Sequence, residues 1–188
     1  MRQHVEITKN EIHDALLFSS KQIHTNLPAF TYMFQNAYSV DGFYPAIPNK
    51  DWTTGFWTGE IWLAYEFTQN EDFRHAAEIQ IHSFLERIEQ KIEVDHHDMG
   101  FLYTLSCVAG YKLIGSEEGR KAALLAADQL IRRYHPVGEF IQAWGAMDDP
   151  KNYRLIIDCL LNLPLLYWAS EETKDTRYMK IAEKHIHT

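Results

Sequence analysis

Apolar positions in this chain recur at helical spacing almost from end to end, and no stretch alternates convincingly like a half-buried strand. The clearest stripe lies in 71–91, where Phe73, Ala76, Ala77, Ile81, Phe84, Leu85 and Ile88 share one helical face. The same periodicity predicts helices over 4–26, 55–69, 71–91, 100–114, 117–134, 153–170 and 175–187, hence an all-α fold. Two segments break the pattern: 28–54, with Pro28, Gly42, Pro45 and Pro48, and 135–152, with Pro136, Gly138, Gly145 and Pro150. Irregular stretches this long in a compact domain are more often functional than idle.

Laid over itself, the pattern repeats. Tyr65, Ala76 and Ala77 correspond to Tyr111, Ala122 and Ala123 at a shift of 46, and a third copy runs from Tyr167 to Ala182 with about three extra residues. Each copy is a hydrophobic helix, a polar turn (TQNED, GSEEG, SEETKD) and an amphipathic helix. A period of this size predicts stacked helix pairs. The first helix of each pair is apolar nearly all round and is expected inside; the second has a charged face and is expected outside. That describes an α/α solenoid or an α/α toroid. If the inner helices are parallel, the loops before them gather at one mouth. Trp52 lies 13 residues before Tyr65, Asp98 lies 13 before Tyr111, and Trp144 and Asp158 lie 23 and 9 before Tyr167. Two indoles and two carboxylates are therefore expected at one opening.

Asp158 stands in the apolar run RLIIDCLLNLPLLYWA, where an unpaired carboxylate is costly to bury. Read blandly, it pairs with Arg154 one turn earlier or bonds Asn162 one turn later. Read chemically, apolar surroundings and a second carboxylate make a carboxyl hold its proton more tightly, as a general acid near neutral pH requires. Pro164 should kink or restart this helix. Asp98 is either the cap of the following helix or that second carboxylate, and His97 beside it is a candidate ligand-facing residue. The run Asp95, His96, His97, Asp98 is not read as a metal site, because adjacent residues point in different directions and no HExxH-like spacing occurs. The pair His185 and His187 is uninformative, and Asp148–Asp149 before Pro150 reads as a solvated turn.

Composition narrows the partners. A net charge of −8 argues against nucleic acid, whose phosphates require a basic footprint, and leaves an anionic ligand to local basic groups. The aromatic share of 13% is rich, and Trp52, Phe56 and Trp57 cluster ahead of an inner helix in a way that suits stacking against a sugar ring. No run of about 18 apolar residues is present to span a bilayer, and the N-terminal stretch is polar, so a cytoplasmic chain with Cys107 and Cys159 reduced and buried as small hydrophobes is expected. There is no glycine-rich phosphate loop and no GxSxG elbow.

Four segments, DWTTGFWTG, DHHDMGF, QAWGAMDD and IIDCLLNLPLLYWA, stand in the order and at about the spacing of the unsaturated glucuronyl hydrolases, family 88 of the glycoside hydrolases. The chain resembles the N-terminal half of that family. The resemblance implies a six-hairpin α/α toroid, of which seven or so helices are present here. It reads 1–188 as a single glycosidase domain cut short at its C-terminal end, with the grip on the uronate carboxylate and any sulfate supplied by later motifs. Helices exposed along the cut edges would invite self-association. The implied substrate is a short oligosaccharide left by a polysaccharide lyase from chondroitin or hyaluronan, carrying a C4=C5 double bond in its terminal uronate. The implied reaction is hydration of that vinyl ether, with Asp158 as general acid and base. Asp98 would hold the sugar hydroxyls, His97 would assist, Trp52, Phe56 and Trp144 would line the subsite, and no metal or organic cofactor would take part. Related readings are an unsaturated rhamnogalacturonyl hydrolase, an inactive sugar-binding fragment of the same fold, and a plain helical repeat for protein partners.

Overall fold

Thr8 and Glu11 start the first helix, α1 (Lys9–Phe30), by capping each other: the Thr8 amide donates to Glu11 Oε2 at 2.8 Å and the Glu11 amide to Thr8 Oγ1 at 3.2 Å. This cap replaces the start expected at residue 4, and the helix runs through Pro28 rather than ending before it. The computed structural model describes residues 7–188, so positions 4–6 of that expectation lie outside the described residues.

Three helix pairs follow: α2 (Thr54–Thr68) with α3 (Glu71–Glu89), α4 (Met99–Tyr103) and α5 (Ala109–Ile114) with α6 (Glu117–Ile131), and α7 (Pro164–Thr173) with α8 (Thr176–His187). Between α4 and α5 the backbone makes a π-helical turn over Thr104–Val108, where the Ser106 carbonyl accepts the Trp62 indole N–H at 2.9 Å. The two layers are as the period predicts. Outer helix α6 packs between α3 and α8, while α2 and α7 pack on the α4–α5 segment. Small side chains permit this close approach: Ala77, Ala122, Ala123, Ala126 and Ala127 are fully buried along the facing sides of α3 and α6.

The turns inside the pairs share one construction. A left-handed residue ends the inner helix (Gln69, Gly115 and Lys174, with φ of 55°, 70° and 62°), and the next residue caps the outer helix through its side chain (Asn70, Ser116, Asp175).

Three expectations are corrected. The irregular segments contain short antiparallel pairs, β1 (Phe34–Gln35) with β2 (Ala46–Ile47) and β3 (Tyr134–His135) with β4 (Phe140–Ile141). In the loop of the first, Asp41 and Gly42, both at positive φ (51° and 81°), make a two-residue turn between the bridged residues Val40 and Phe43, which the dipeptide itself signals. Second, no helix covers 153–163. Residues 153–158 are extended or turned, the Ala143 amide donates to the Arg154 carbonyl at 3.2 Å, a 3-10 turn spans Cys159–Asn162, and the helix begins only at Pro164. The proline lacks the N–H that would continue a helix through it and fits the first turn of a new one. Third, Cys159 lies in this turn and is only half-buried, whereas Cys107 is buried; both are thiols.

The sides of α2 and α5 that face away from the outer layer bound an apolar groove of about 600 Å³, lined by Phe56, Trp62, Leu63, Leu105, Ala109 and Leu113. Among the described residues, no helix is long and apolar enough to cross a membrane.

Candidate active site

The loop before α4 and the 3-10 turn before α7 bring Asp98, Asp158 and His97 together. Asp98 occupies the cap position of α4, yet its side chain caps nothing. Instead Oδ2 lies 3.1 Å from His96 Nδ1 and Oδ1 lies 3.3 Å from His97 Nε2. Asp158 heads its 3-10 turn, also without capping it, and places Oδ1 3.7 Å from the same His97 Nε2. One oxygen of each carboxylate and His97 Nε2 all lie within 4.8 Å of one another. His97 is 1% exposed and is anchored from behind by its amide, which donates to the Ala143 carbonyl at 2.8 Å.

Neither bland partner of Asp158 engages it. Arg154 donates to the Lys151 carbonyl at 3.1 Å and lies 5.2 Å from the Trp144 ring centroid. Asn162 Oδ1 accepts the Phe101 amide at 3.0 Å, tying the Asp158 turn to the start of α4. That junction admits no side chain at Gly100, because a Cβ there would stand 2.2 Å from Asn162 Cα. Asp95, the other acid of the run, points away and pairs with Arg133.

Burial is the largest influence on His97 and pushes it below the ordinary histidine value; Asp98 and Asp158 pull the other way without reversing it. The imidazole is therefore neutral at pH 7, and the carboxylates facing Nε2 favour the tautomer with its proton there. Neither contact has hydrogen-bond geometry, so His97 Nε2 and Asp158 Oδ1 are buried polar atoms without a protein partner.

Beside this trio opens a cleft of about 300 Å³, lined among others by Lys50, Asp51, Trp52, His96, Asp98 and Trp144. Trp52 and Trp144 are 43% and 42% exposed, so neither is a core residue, in contrast to Trp57, Trp62 and Trp168. Trp52 forms a wall with Phe56 and Phe101 at centroid separations of 6.3 and 6.0 Å, and Phe56 and Phe101 lie 5.2 Å apart. Trp144 stands edge-on to His97 at 6.5 Å. Asp158 does not line the cleft itself; it is set beside Asp98 at its inner end.

Of the six residues expected at the mouth, Trp52, Asp98 and Trp144 line this cleft, His97 and Asp158 lie at its inner end, and Phe56 stands against Trp52 outside it; other residues there were not expected. His96 and Phe101 lie inside the DHHDMGF segment and were legible as part of it. Lys50 and Arg154 are the local cations an anionic ligand would need, but no spacing signal marked them. His185, read as uninformative, is 3% exposed, and its Nδ1 accepts the Ile141 amide at 3.1 Å.

Acid should therefore weaken the fold. Burial holds both His97 and His185 below the ordinary value of 6.5. Between the depressed folded value and the unfolded one, the unfolded chain binds more protons, so stability is full above about 6.5 and is lost as pH falls through the folded value. His82, raised by Glu118, acts oppositely, but it is an exposed pair of small worth. A thermal-melt series from pH 7 to 5 should show a falling Tm, by roughly 2–4 °C per kcal/mol lost. His185→Gln should flatten that slope, and a slope unchanged in this variant would contradict the assignment.

The profile of Glycosyl Hydrolase Family 88 matches residues 29–188. The chain is 49% identical over 181 residues to the unsaturated chondroitin disaccharide hydrolase of Streptococcus pneumoniae, which covers 96% of this chain and 46% of that protein. The crystal structure of unsaturated glucuronyl hydrolase from Streptococcus agalactiae superposes with a TM-score of 0.93 at 43% identity, covering 96% of this chain and 45% of that one. The unsaturated glucuronyl hydrolase of Bacillus sp. GL1, described as responsible for the degradation of glycosaminoglycan, gives 0.87 at 44% identity over 92% of this chain and 46% of that one. The chain thus spans about half the length of the curated relatives it matches, and its three helix pairs are part of an α/α toroid.

Proposed function

The chain belongs to Glycosyl Hydrolase Family 88, and we propose that it carries the acid–base half of a hydrolase for unsaturated glucuronyl oligosaccharides derived from chondroitin or hyaluronan. The observation that supports this most is the convergence of Asp98 and Asp158 on the buried, neutral His97 beside an aromatic cleft. In this reading the Asp158 carboxyl gives its proton to C4 of the unsaturated uronate, and positive charge develops at C5 next to the ring oxygen. Water adds at C5 and returns a proton to the Asp158 carboxylate, so the acid is regenerated and one water is consumed. The hemiketal then rearranges, and the glycosidic link breaks with release of a keto acid. His97 Nε2–H, facing both carboxylates, moves between them as charge shifts. Asp98 orients the sugar hydroxyls, Trp52 and Phe56 stack on one side of the ring, and Trp144 closes the other. Lys50 and the Arg154 guanidinium lie where an anionic sugar would be drawn.

The three oxygen and nitrogen atoms that meet here could also hold a cation. The reading instead assigns them to proton handling, with no cofactor. The apolar groove along α2 and α5 supports the further proposal that copies of this chain self-associate through that face.

The test is direct. The purified chain mixed with an unsaturated chondroitin disaccharide should consume the vinyl-ether absorbance, and exhaustive EDTA dialysis should leave the rate within about twofold. Binding without turnover would overturn the hydrolase reading in favour of a sugar-binding protein. Faster turnover of an unsaturated rhamnogalacturonyl substrate would overturn the substrate assignment, and loss of rate on chelation, restored by a divalent ion, the cofactor-free mechanism.

A further inference from the structure

Two arginines stand at the same repeat position, and both are buried. Arg87 lies in the last turn of α3 and Arg133 just beyond α6, 46 residues later, the spacing that separates Tyr65 from Tyr111. They are 1% and 0% exposed.

Arg87 reaches two loops at once. Its guanidinium donates to the Lys50 and Asp51 carbonyls at 3.2 and 2.9 Å, to Asn49 Oδ1 at 3.0 Å and to Thr54 Oγ1 at 3.1 Å, all flanking Trp52. On its other side it donates to the Ile92 and Glu93 carbonyls at 3.1 and 2.7 Å, just ahead of the His96–Asp98 segment. Arg133 repeats the device one copy later. It donates to the Gln142 and Gly145 carbonyls at 2.8 and 2.9 Å, on either side of Trp144, and to Asp95 Oδ1 at 2.5 Å. The Gln142 side chain completes this second clasp by donating to the Trp144 and Gly145 carbonyls at 2.8 and 2.9 Å.

We infer that Arg87 and Arg133 are repeat-related positioning residues. Each fixes one tryptophan loop against the outer layer, and together they suspend the His96–Asp98 segment between them. Stability alone does not explain them, since buried ionic groups are often replaceable by well-packed apolar residues at no loss. What an apolar residue cannot do is hold several carbonyls of two loops in one plane, which a five-donor fork does. Lysine keeps the charge but not the fork. The inference rests on the proposed function for what the positioned residues do, but not for the positioning itself.

The experiment compares the chain with Arg87→Lys, Arg133→Lys and, as a control, Arg120→Lys, which disturbs the Glu172 pair away from the mouth. Hydrogen exchange followed by mass spectrometry should show faster exchange at 48–54 and 92–94 in Arg87→Lys alone. In Arg133→Lys alone it should quicken at 95–98 and 142–147, with helical circular dichroism retained in both. Turnover of the unsaturated disaccharide should fall about 10- to 100-fold in each clasp variant, the scale expected when reacting groups drift by an ångström, and stay near wild type in the control. Exchange that rises uniformly through the helices, or not at all in the named loops, would overturn the inference. Because exchange is read without substrate, an inactive wild-type chain would defeat the functional reading while leaving this one decided by the exchange pattern.

Discussion

Asp158→Asn is expected to lower turnover of an unsaturated chondroitin disaccharide by about 10²–10⁴-fold, the range a positioned general acid–base contributes. The substitution keeps the size and planarity of the side chain and removes only the exchangeable acid. Its place at the head of the Cys159–Asn162 turn does not depend on the carboxylate, because the side chain caps nothing there. The turn is held instead by Asn162 on the Phe101 amide. Disaccharide affinity, measured by calorimetry, should therefore stay within about threefold, with the helical spectrum unchanged. Asp98→Asn should behave differently, weakening affinity along with rate, because Asp98 lines the cleft whereas Asp158 does not. Retention of more than a tenth of the rate by Asp158→Asn, with tight binding intact, would remove Asp158 from the chemistry.

Gly100→Ala is expected to be strongly destabilising. A Cβ at this position would meet Asn162 Cα at 2.2 Å and the Asn162 carbonyl at 2.5 Å. The obstacle is backbone, so no rotamer change relieves it, and overpacking of this kind costs about 3 kcal/mol or more. For a chain of this length that corresponds to a Tm loss of roughly 6–12 °C. The same displacement pushes the Asp158 turn away from Asp98, so kcat should fall with stability rather than independently of it. Gly59→Ala is the comparison, since its Cβ would meet Leu105 Cβ at 3.1 Å and backbone no closer than 3.5 Å. Equal melting temperatures for the two variants would show that the junction of α4 with the Asp158 turn is looser than these contacts require.

The helical repeat was legible because it is written in local terms. Stripes of apolar residues, polar turns and alanine pairs recur at one spacing, and they determine which helix lies inside and which outside. From that alone Trp52, Asp98, Trp144 and Asp158 could be assigned to a common mouth. The reading failed where local pattern and long-range contact disagree. Residues 153–158 are apolar enough to pass for helix, yet they are drawn out to meet Ala143, with Ile157 fully exposed. The α1 start and the Asp41–Gly42 turn were missed although both carry local signals.

The chain's own pattern of apolar and polar residues therefore determines three helix pairs, their layering and the loops that meet at one end, since each follows from periodicity and capping within a few residues. The tertiary structure decides that both carboxylates face one imidazole nitrogen, that Asn162 rather than Asp158 bonds the start of α4, and that two buried arginines grip the loops from behind. Two of these contacts, His97 with Asp158 and the Phe101 amide with Asn162, join residues 61 apart in the sequence. Which of them form depends on how close the packed helices bring separate backbones, a distance that no spacing along a single sequence records.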